Sequence, residues 1–361
     1  MGKIVDLIVF GNAAEDFVVH PDEIRYIEVQ ELAFVKDGIE KKVLVREDDI
    51  IAAEKPRFYG MTIDDILNGI AFERQAGGGG VHGAVWLAEN GMNPLYLDVS
   101  APNDVVSQRL REHCIEPIFL DYREVPRNLV VDIGKSGLGK IVVRGQKLDR
   151  VEQLRENHIG ELNDLTSKTK VLFLNAPKDT YVVNHLMQMV TEDTQVMFVV
   201  TDSLPRDFVM DKLMPHGITA MSRKGLYRFG EMLGLRMGDD TLQYSVDIMN
   251  ALRSKTRSRF PLMAIASRDG VLCSAWGHIY NVYIKPGDLG APPRQVTTHR
   301  AEDVFAAAVL HEYLKQGMKH PVEIATSALI AELKHRGYTG VRPELIRVDT
   351  MHPRHRTFLY K

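Results

Sequence analysis

Ala76-Gly77-Gly78-Gly79-Gly80-Val81-His82-Gly83 is the stretch on which the reading of this chain turns. Four consecutive glycines allow positive φ and let the backbone come close to a ligand. Residues 80–90 (GVHGAVWLAEN) have the composition of a helix and stop at Gly91, a C-terminal helix signal. The amides of that helix's first turn would point at whatever binds the glycines. A helical segment is expected on the upstream side, and no Ser-rich flank of the kind that marks a linker is present. The run therefore reads as a ligand-approach loop rather than as a linker.

Upstream, Ile4–Phe10 is a β-branched run ending in Gly11-Asn12, a buried first strand meeting a turn. Segments 25–35 and 43–46 are extended and partly alternating, with the turn pair Asp37-Gly38 between them. They predict an antiparallel sheet inserted directly after the first strand. Downstream, 103–113 reads as a helix capped by Asn103 or Asp104. Asn128–Ile133 and Lys140–Arg144 read as a second hairpin around Gly134–Gly139. Strand-like runs follow at Val171–Leu174, Val196–Thr201 and Leu262–Ala266, separated by helical stretches near 180–190, 205–214 and 240–255. Two late helices fall at about 301–316 and 321–335. This order implies right-handed βαβ units, a mostly parallel sheet and helices on both faces. The predicted division is a large α/β domain from 1–16 and 61–361, and a β-rich lid from 17–60. The 127–145 hairpin is a candidate to join that lid. The basic stretch 352–361 reads as a docked strand, with a frayed tail as the alternative.

Of the 361 residues, 45% are hydrophobic and 26% charged, an ordinary balance that excludes disordered and collagen-like chains. The net charge of −3 offers no electrostatic footprint for nucleic acid and no polybasic membrane anchor. No apolar run approaches the roughly 18 residues of a membrane span. Cys114 and Cys273 cannot build a disulfide framework, which fits a reducing compartment, and a cytoplasmic protein is expected.

Two motifs are decoys. Gly134-Lys-Ser-Gly-Leu-Gly139-Lys140 nearly spells a phosphate-binding P-loop. A P-loop needs Ser or Thr after its Lys and a helix next, whereas here Ile141-Val142-Val143 continues as a strand. His311-Glu312 lacks the second His of a zinc-protease helix, because position 315 is Lys. The histidines and cysteines show no zinc-ligand spacing. Two further positions stay open on local reading alone. Asp16, after the first strand, suits hydrogen bonding to sugar-like hydroxyls or is a solvated turn acid. Asp303 lies in the first turn of a small-residue helix opened by Thr297 or Thr298, where an acid ordinarily complements the helix dipole.

Taken in order, these pieces resemble the ribokinase family of carbohydrate and nucleoside kinases, also called the PfkB family. The resemblance spans almost the whole chain. Gly77-Gly78 followed by Val85, Leu87, Ala88 and Gly91 is similar to the family's N-terminal signature. Asp303 with Phe305-Ala306-Ala307 is similar to its C-terminal signature, in which the Asp is the catalytic base. The resemblance implies a three-layer α/β/α fold with a small antiparallel lid. It implies ATP-dependent phosphotransfer to a hydroxyl of a small sugar or nucleoside, with Mg2+ bridging the phosphates and no protein residue named as its ligand. It places Asp16, Asn12, Gly77, Gly78, Gly79 and His82 at the acceptor, with Asp303 and Arg300 at the transferred phosphoryl group. Ala301, Glu302, Ser267 and Gly270 fall at the nucleotide. A homodimer joined through the lid is implied as well, and the lid's Ile27, Val29, Leu32, Phe34 and Val35 call for a partner surface.

The departures bear on activity. Where the family has Gly-Ala-Gly-Asp, this chain has Arg300-Ala301-Glu302-Asp303. A Glu there adds like charge beside a polyanion, which Arg300 could offset. His82 replaces the family's usual Asn. The Asn-x-x-Glu element expected near 219–231 is replaced by Ser222-Arg223-Lys224-Gly225, with Glu231 further along. The alternative expectation is therefore a catalytically weak or inactive binding or regulatory protein on the same fold.

Overall fold

A computed structural model describes residues 7–11, 13–19, 24–28, 31–36, 39–44, 72–98, 104–120, 128–132, 140–143, 156–167, 169–175, 177, 180–200, 205–267, 270–289, 301–317 and 320–353. The chain opens with β1 (Leu7–Gly11), β2 (Ala14–Val19), β3 (Ile24–Glu28), β4 (Glu31–Lys36), β5 (Ile39–Leu44) and β6 (Phe72–Gly77). Next come α1 (Gly79–Glu89), β7 (Pro94–Asp98), α2 (Asp104–Glu112), β8 (Glu116–Phe119), β9 (Asn128–Asp132) and β10 (Lys140–Val143). The middle comprises α3 (Glu156–Thr166), β11 (Val171–Asn175), α4 (Thr180–Gln188) and β12 (Gln195–Val200). A helical turn, Arg206–Phe208, then opens into the π-helical segment Val209–Leu213. It leads to β13 (Ile218–Met221), α5 (Arg223–Met232), α6 (Thr241–Thr256), β14 (Leu262–Ser267), β15 (Gly270–Ala275) and β16 (His278–Ile284). The chain finishes with α7 (Ala301–Gln316), α8 (Pro321–His335) and β17 (Ile346–Met351).

Ten strands form one sheet in the order β17-β16-β15-β14-β13-β12-β11-β1-β7-β8. It is parallel from β14 to β8, and β15, β16 and β17 add an antiparallel edge. The parallel strands are near-continuous apolar runs because both of their faces are covered. Side chains alternate between the faces, as a pleated strand requires. Leu7 and Val9 join a core with Val81 and Ala84 of α1, Phe305 and Val309 of α7, and Ile324 and Leu329 of α8. Ile8 and Phe10 face the opposite layer, with Val182 of α4, Phe229 of α5 and Ile248 of α6. The result is three layers, helices on sheet on helices.

Two smaller sheets stand apart from the large one. One has the order β10-β9-β2-β6, and the other is the meander β3-β4-β5. Lys36 pairs with Ile39, so the expected turn pair Asp37-Gly38 falls between them, outside the described residues. Lys140 and Ile141 lie in β10, opposite Asp132 and Val131, so a strand follows the P-loop-like run as expected. Two readings need correction. The segment before the glycine run is β6, antiparallel to β2, not a helix; pairing across the small sheet decides its conformation. Asp16 lies inside β2, not in the turn after β1. Of the basic C-terminal stretch, His352 and Pro353 lie past the end of β17, and 354–361 fall outside the described residues.

Candidate functional site

The small sheet feeds directly into the glycine run. Ala14 pairs with Gly77, and the chain then turns at Gly78, whose φ of 94° no residue with a Cβ adopts easily. Gly78 occupies the N-cap of α1 and supplies no side-chain cap, leaving the first-turn amides for another partner. His82 lies in that first turn, half-buried, its amide donating to the Gly78 carbonyl at 3.1 Å.

The direction of α1 follows from its two ends. Past its C-terminus the chain reaches Pro94, which pairs with Leu7 at the start of β1. At its N-terminus, the Asn175 Nδ2 donates to the Gly79 carbonyl at 2.6 Å, and Asn175 is the last residue of β11. The glycine turn therefore sits at the carboxyl edge of the parallel strands, where open α/β sheets bind their ligands.

The same edge receives α7. The Cys273 thiol donates to the Pro321 carbonyl at 3.6 Å, and Cys273 pairs with Met263 near the start of β14. The start of α8, and the end of α7 just before it, therefore lie at the amino edge. A helix of 16 residues is about 24 Å long, enough to cross the sheet, so Ala301, Glu302 and Asp303 emerge at the carboxyl edge. There α7 packs beside α1 and over β12 and β13. The Trp86 and His311 rings meet edge-on at 5.7 Å, about 10 Å along α1 and about 15 Å along α7, so the two helices are in contact at comparable distances from their starts. Ala301 is buried, Glu302 exposed and Asp303 half-buried.

Ser267 ends β14 on the same edge and is exposed, next to a β-bulge and paired with Gly270. A Cβ on Gly270 would stand 3.1 Å from the Ser267 Oγ, so a glycine keeps this corner tight. Ser222 follows β13 and caps α5, accepting from the Gly225 amide at 3.0 Å. It thus serves the helix that begins where the Asn-x-x-Glu element was expected. Asp16 pairs through its backbone with Gln75 and Val130 in the small sheet. Asn12 and Arg300 fall outside the described residues, as do Thr297 and Thr298.

Sequence reasoning missed Asn175, fully buried beneath the glycine turn. A lone polar residue closing the run Val171–Leu174 was its only signal. Asp98, buried at the end of β7, ends another apolar run in the same way. A polar cleft of about 450 Å³ lies between Arg74–Ala76 of β6 and α2, where Arg109 pairs with Glu112 at 3.6 Å. None of the predicted site residues lines it.

Among the described residues no group of three or more His, Cys, Asp or Glu side chains could hold a metal ion, and no helix is long and apolar enough to cross a membrane. A magnesium ion held mainly by phosphates and water needs no protein cage. The N-terminus of α7 fits an anionic group through its amides and dipole, although Glu302 opposes it.

No protein-family model matches the chain, and no curated protein matches it. Solved structures do. Adenosine kinase from Sinorhizobium meliloti superposes with a TM-score of 0.61 at 14% identity, over 94% of this chain and 96% of its own. A carbohydrate kinase from Agrobacterium tumefaciens gives 0.59 at 13% identity, over 96% of this chain and 100% of its own. The tetrameric inhibited form of phosphofructokinase-2 from Escherichia coli gives 0.58 at 12% identity, over 92% and 94%. The chain therefore has the ribokinase-like α/β/α fold of PfkB-type sugar and nucleoside kinases.

Proposed function

We propose that the protein transfers a phosphoryl group from ATP to a hydroxyl of a small sugar-like or nucleoside-like acceptor. The observation that carries this reading is the convergence of two helix starts, Gly78–Gly80 of α1 and Ala301–Asp303 of α7, on one carboxyl edge of the sheet. The solved kinases that share the fold support it. Asp16 and the glycine turn orient the acceptor, together with Asn12 and His82. Asp303 takes the proton of the attacking hydroxyl. The first-turn amides of α7 and Arg300 face the negative charge of the transferred group, and Ser267 and Gly270 border the nucleotide. Magnesium-bound ATP would supply the phosphoryl group, with the ion offsetting charge on the phosphates. The assembly in this reading is a homodimer joined through the lid. Sedimentation at micromolar concentration should then return twice the 40.7 kDa chain mass.

A second reading, a binding or regulatory protein with weak or no catalysis, is favoured by one observation. The first turn of α7 carries an exposed carboxylate, Glu302, where a phosphate-binding turn gains most from bare backbone. One experiment separates the two. ADP release is measured over a panel of ribose, fructose 1-phosphate, fructose 6-phosphate and adenosine, alongside binding by calorimetry. Turnover that falls by about 10²–10⁴ in a folded Asp303→Asn variant supports the kinase. Binding without ADP release supports the second reading, and full activity in Asp303→Asn removes Asp303 as the base.

A further inference from the structure

Asn175 combines features that packing alone does not explain. It is fully buried at the end of β11, and its Nδ2 donates at 2.6 Å to Gly79, 96 residues earlier in the chain. Gly79 is the first residue of α1, directly after the uncapped, positive-φ Gly78. Its surroundings are stripped to glycine. A Cβ on Gly83 would stand 2.6 Å from the Asn175 Nδ2, and a Cβ on Gly11 would collide with the Asn175 carbonyl oxygen and stand 2.6 Å from the Gly80 Cα. Gly83 of α1 thus faces the Asn175 side chain itself, while Gly11 of β1 packs against the Asn175 backbone carbonyl and Gly80, so β1, β11 and α1 close on this residue. The Tyr96 hydroxyl adds a fourth tie by donating to the Gly11 carbonyl at 3.1 Å.

The other half of the amide costs stability. Asn175 Oδ1 is buried and finds no hydrogen-bond donor among the described residues. A buried acceptor without a donor is costly, so stability alone does not account for this side chain. What the amide provides is a donor aimed at a single carbonyl, the one that sets the height and tilt of the glycine turn over the carboxyl edge. No other residue type of this length and shape supplies a neutral N–H there.

We infer that Asn175 is a positioning residue for the acceptor, acting through Gly79 to hold the Gly78–Gly80 turn in its binding geometry. This rests on the kinase reading for the identity of what binds, but the brace itself does not. It also separates the two ligands: the clamp reaches the start of α1, assigned to the acceptor, and not the start of α7 or the Ser267–Gly270 corner, where the nucleotide is assigned.

Asn175→Asp gives a readout that general structural damage would not. A protonated carboxylic acid can still donate to the Gly79 carbonyl, whereas an ionised carboxylate cannot and repels it. Binding is measured by calorimetry between pH 5 and 8, using the tightest acceptor from the panel above and a non-hydrolysable ATP analogue. In Asn175→Asp the acceptor Kd should rise by about tenfold relative to wild type as pH increases through the new carboxyl's pKa, while the analogue's Kd stays within twofold of wild type at each pH. Equal weakening of both ligands, or a variant that tracks wild type at every pH, overturns the inference. If Asn175→Asp does not fold, Asn175→Ala carries the same test at a single pH: a tenfold loss confined to the acceptor supports it, and a shared or absent loss overturns it. Amide exchange of His82 and Gly83, where hydrogen bonding within α1 begins, keeps the two proposals apart when measured in the ligand-free variant. Faster exchange there in a protein that binds no panel acceptor upholds the brace and removes the kinase reading. Unchanged exchange removes the brace whatever binds.

Discussion

Trp86 of α1 and His311 of α7 meet ring edge to ring face, with centroids 5.7 Å apart and planes at 88°. This contact joins the two helices whose N-termini border the crevice, well below those termini. It lets packing in the helix layer set the spacing between the two helix starts, which the proposed kinase reading assigns to the acceptor and the phosphoryl group.

Removing the ring should therefore act on both sides at once. Trp86→Ala is expected to cost about 2–3 kcal/mol, less than a fully buried Trp because Trp86 is only half-buried. Trp86→Phe keeps an aromatic edge and should recover most of that. Urea unfolding reads the stability, and the KM values for acceptor and nucleotide should rise together in Trp86→Ala. A rise in only one of them would show that the contact does not set the spacing.

Two glycines predict opposite outcomes for the same substitution. At Gly11 an added methyl would press on the backbone of both Asn175 and Gly80, and β1, β11 and α1 cannot all yield. Gly11→Ala should destabilise by about 3 kcal/mol or more, beyond the usual range for one surplus methyl in a core. Gly160, exposed on α3, has nothing within 4 Å of a Cβ. Gly160→Ala should stabilise by about 0.5–1 kcal/mol, since the helix then orders less backbone freedom. Parallel urea titrations of the two variants check both signs.

These contrasts show what the sequence made legible. Val171–Leu174 and Leu262–Ala266 stood out as strands because both of their faces are buried, which leaves an unbroken apolar run. Ile218–Met221 passed unnoticed because it is short and its polar Thr219 breaks the run. Phe72–Gly77 was misread because half of it is polar, and only its partner β2 makes it a strand. The glycine turn announced itself through composition. The side chain that holds it did not, since Asn175 and Gly79 are neighbours only after folding. Asp303 was legible as a candidate through its likeness to a family signature, while its location at the crevice depends on Cys273 and Pro321 fixing the far end of α7 and α8.

The two cysteines should behave differently. Cys114 is exposed, whereas burial pushes the Cys273 thiol up to about 12, with Arg253 pulling weakly the other way. In native protein at pH 8 a disulfide reagent should titrate one thiol quickly and the second only on unfolding. The sign of the pH effect follows from the same shift. The folded state favours the protonated thiol, so this contribution is complete below the ordinary value of 9.0 and is lost as pH rises from there toward 12. Tyr313, raised by burial, adds to that alkaline loss. Urea midpoints between pH 8 and 11 should fall, and should fall less in Cys273→Ala.

Glu302 offers the sharpest test of the phosphate side. It is exposed in the first turn of α7, one residue before Asp303, where its charge favours the helix dipole and opposes a bound polyphosphate. Glu302→Gln keeps the shape and removes only the charge. It should cost about 0.3–1 kcal/mol of helix stability. It should also lower the nucleotide KM several-fold at low ionic strength and leave the acceptor KM in place. Because the carboxylate is exposed, salt screens it, with a Debye length of about 10 Å at 0.1 M and about 3 Å at 1 M. The gain in nucleotide affinity should therefore shrink steadily as salt is raised. A Glu302→Gln variant whose nucleotide KM rises would instead mean that the carboxylate helps to hold the metal–nucleotide complex. An unchanged KM at every ionic strength would place the polyphosphate away from the start of α7.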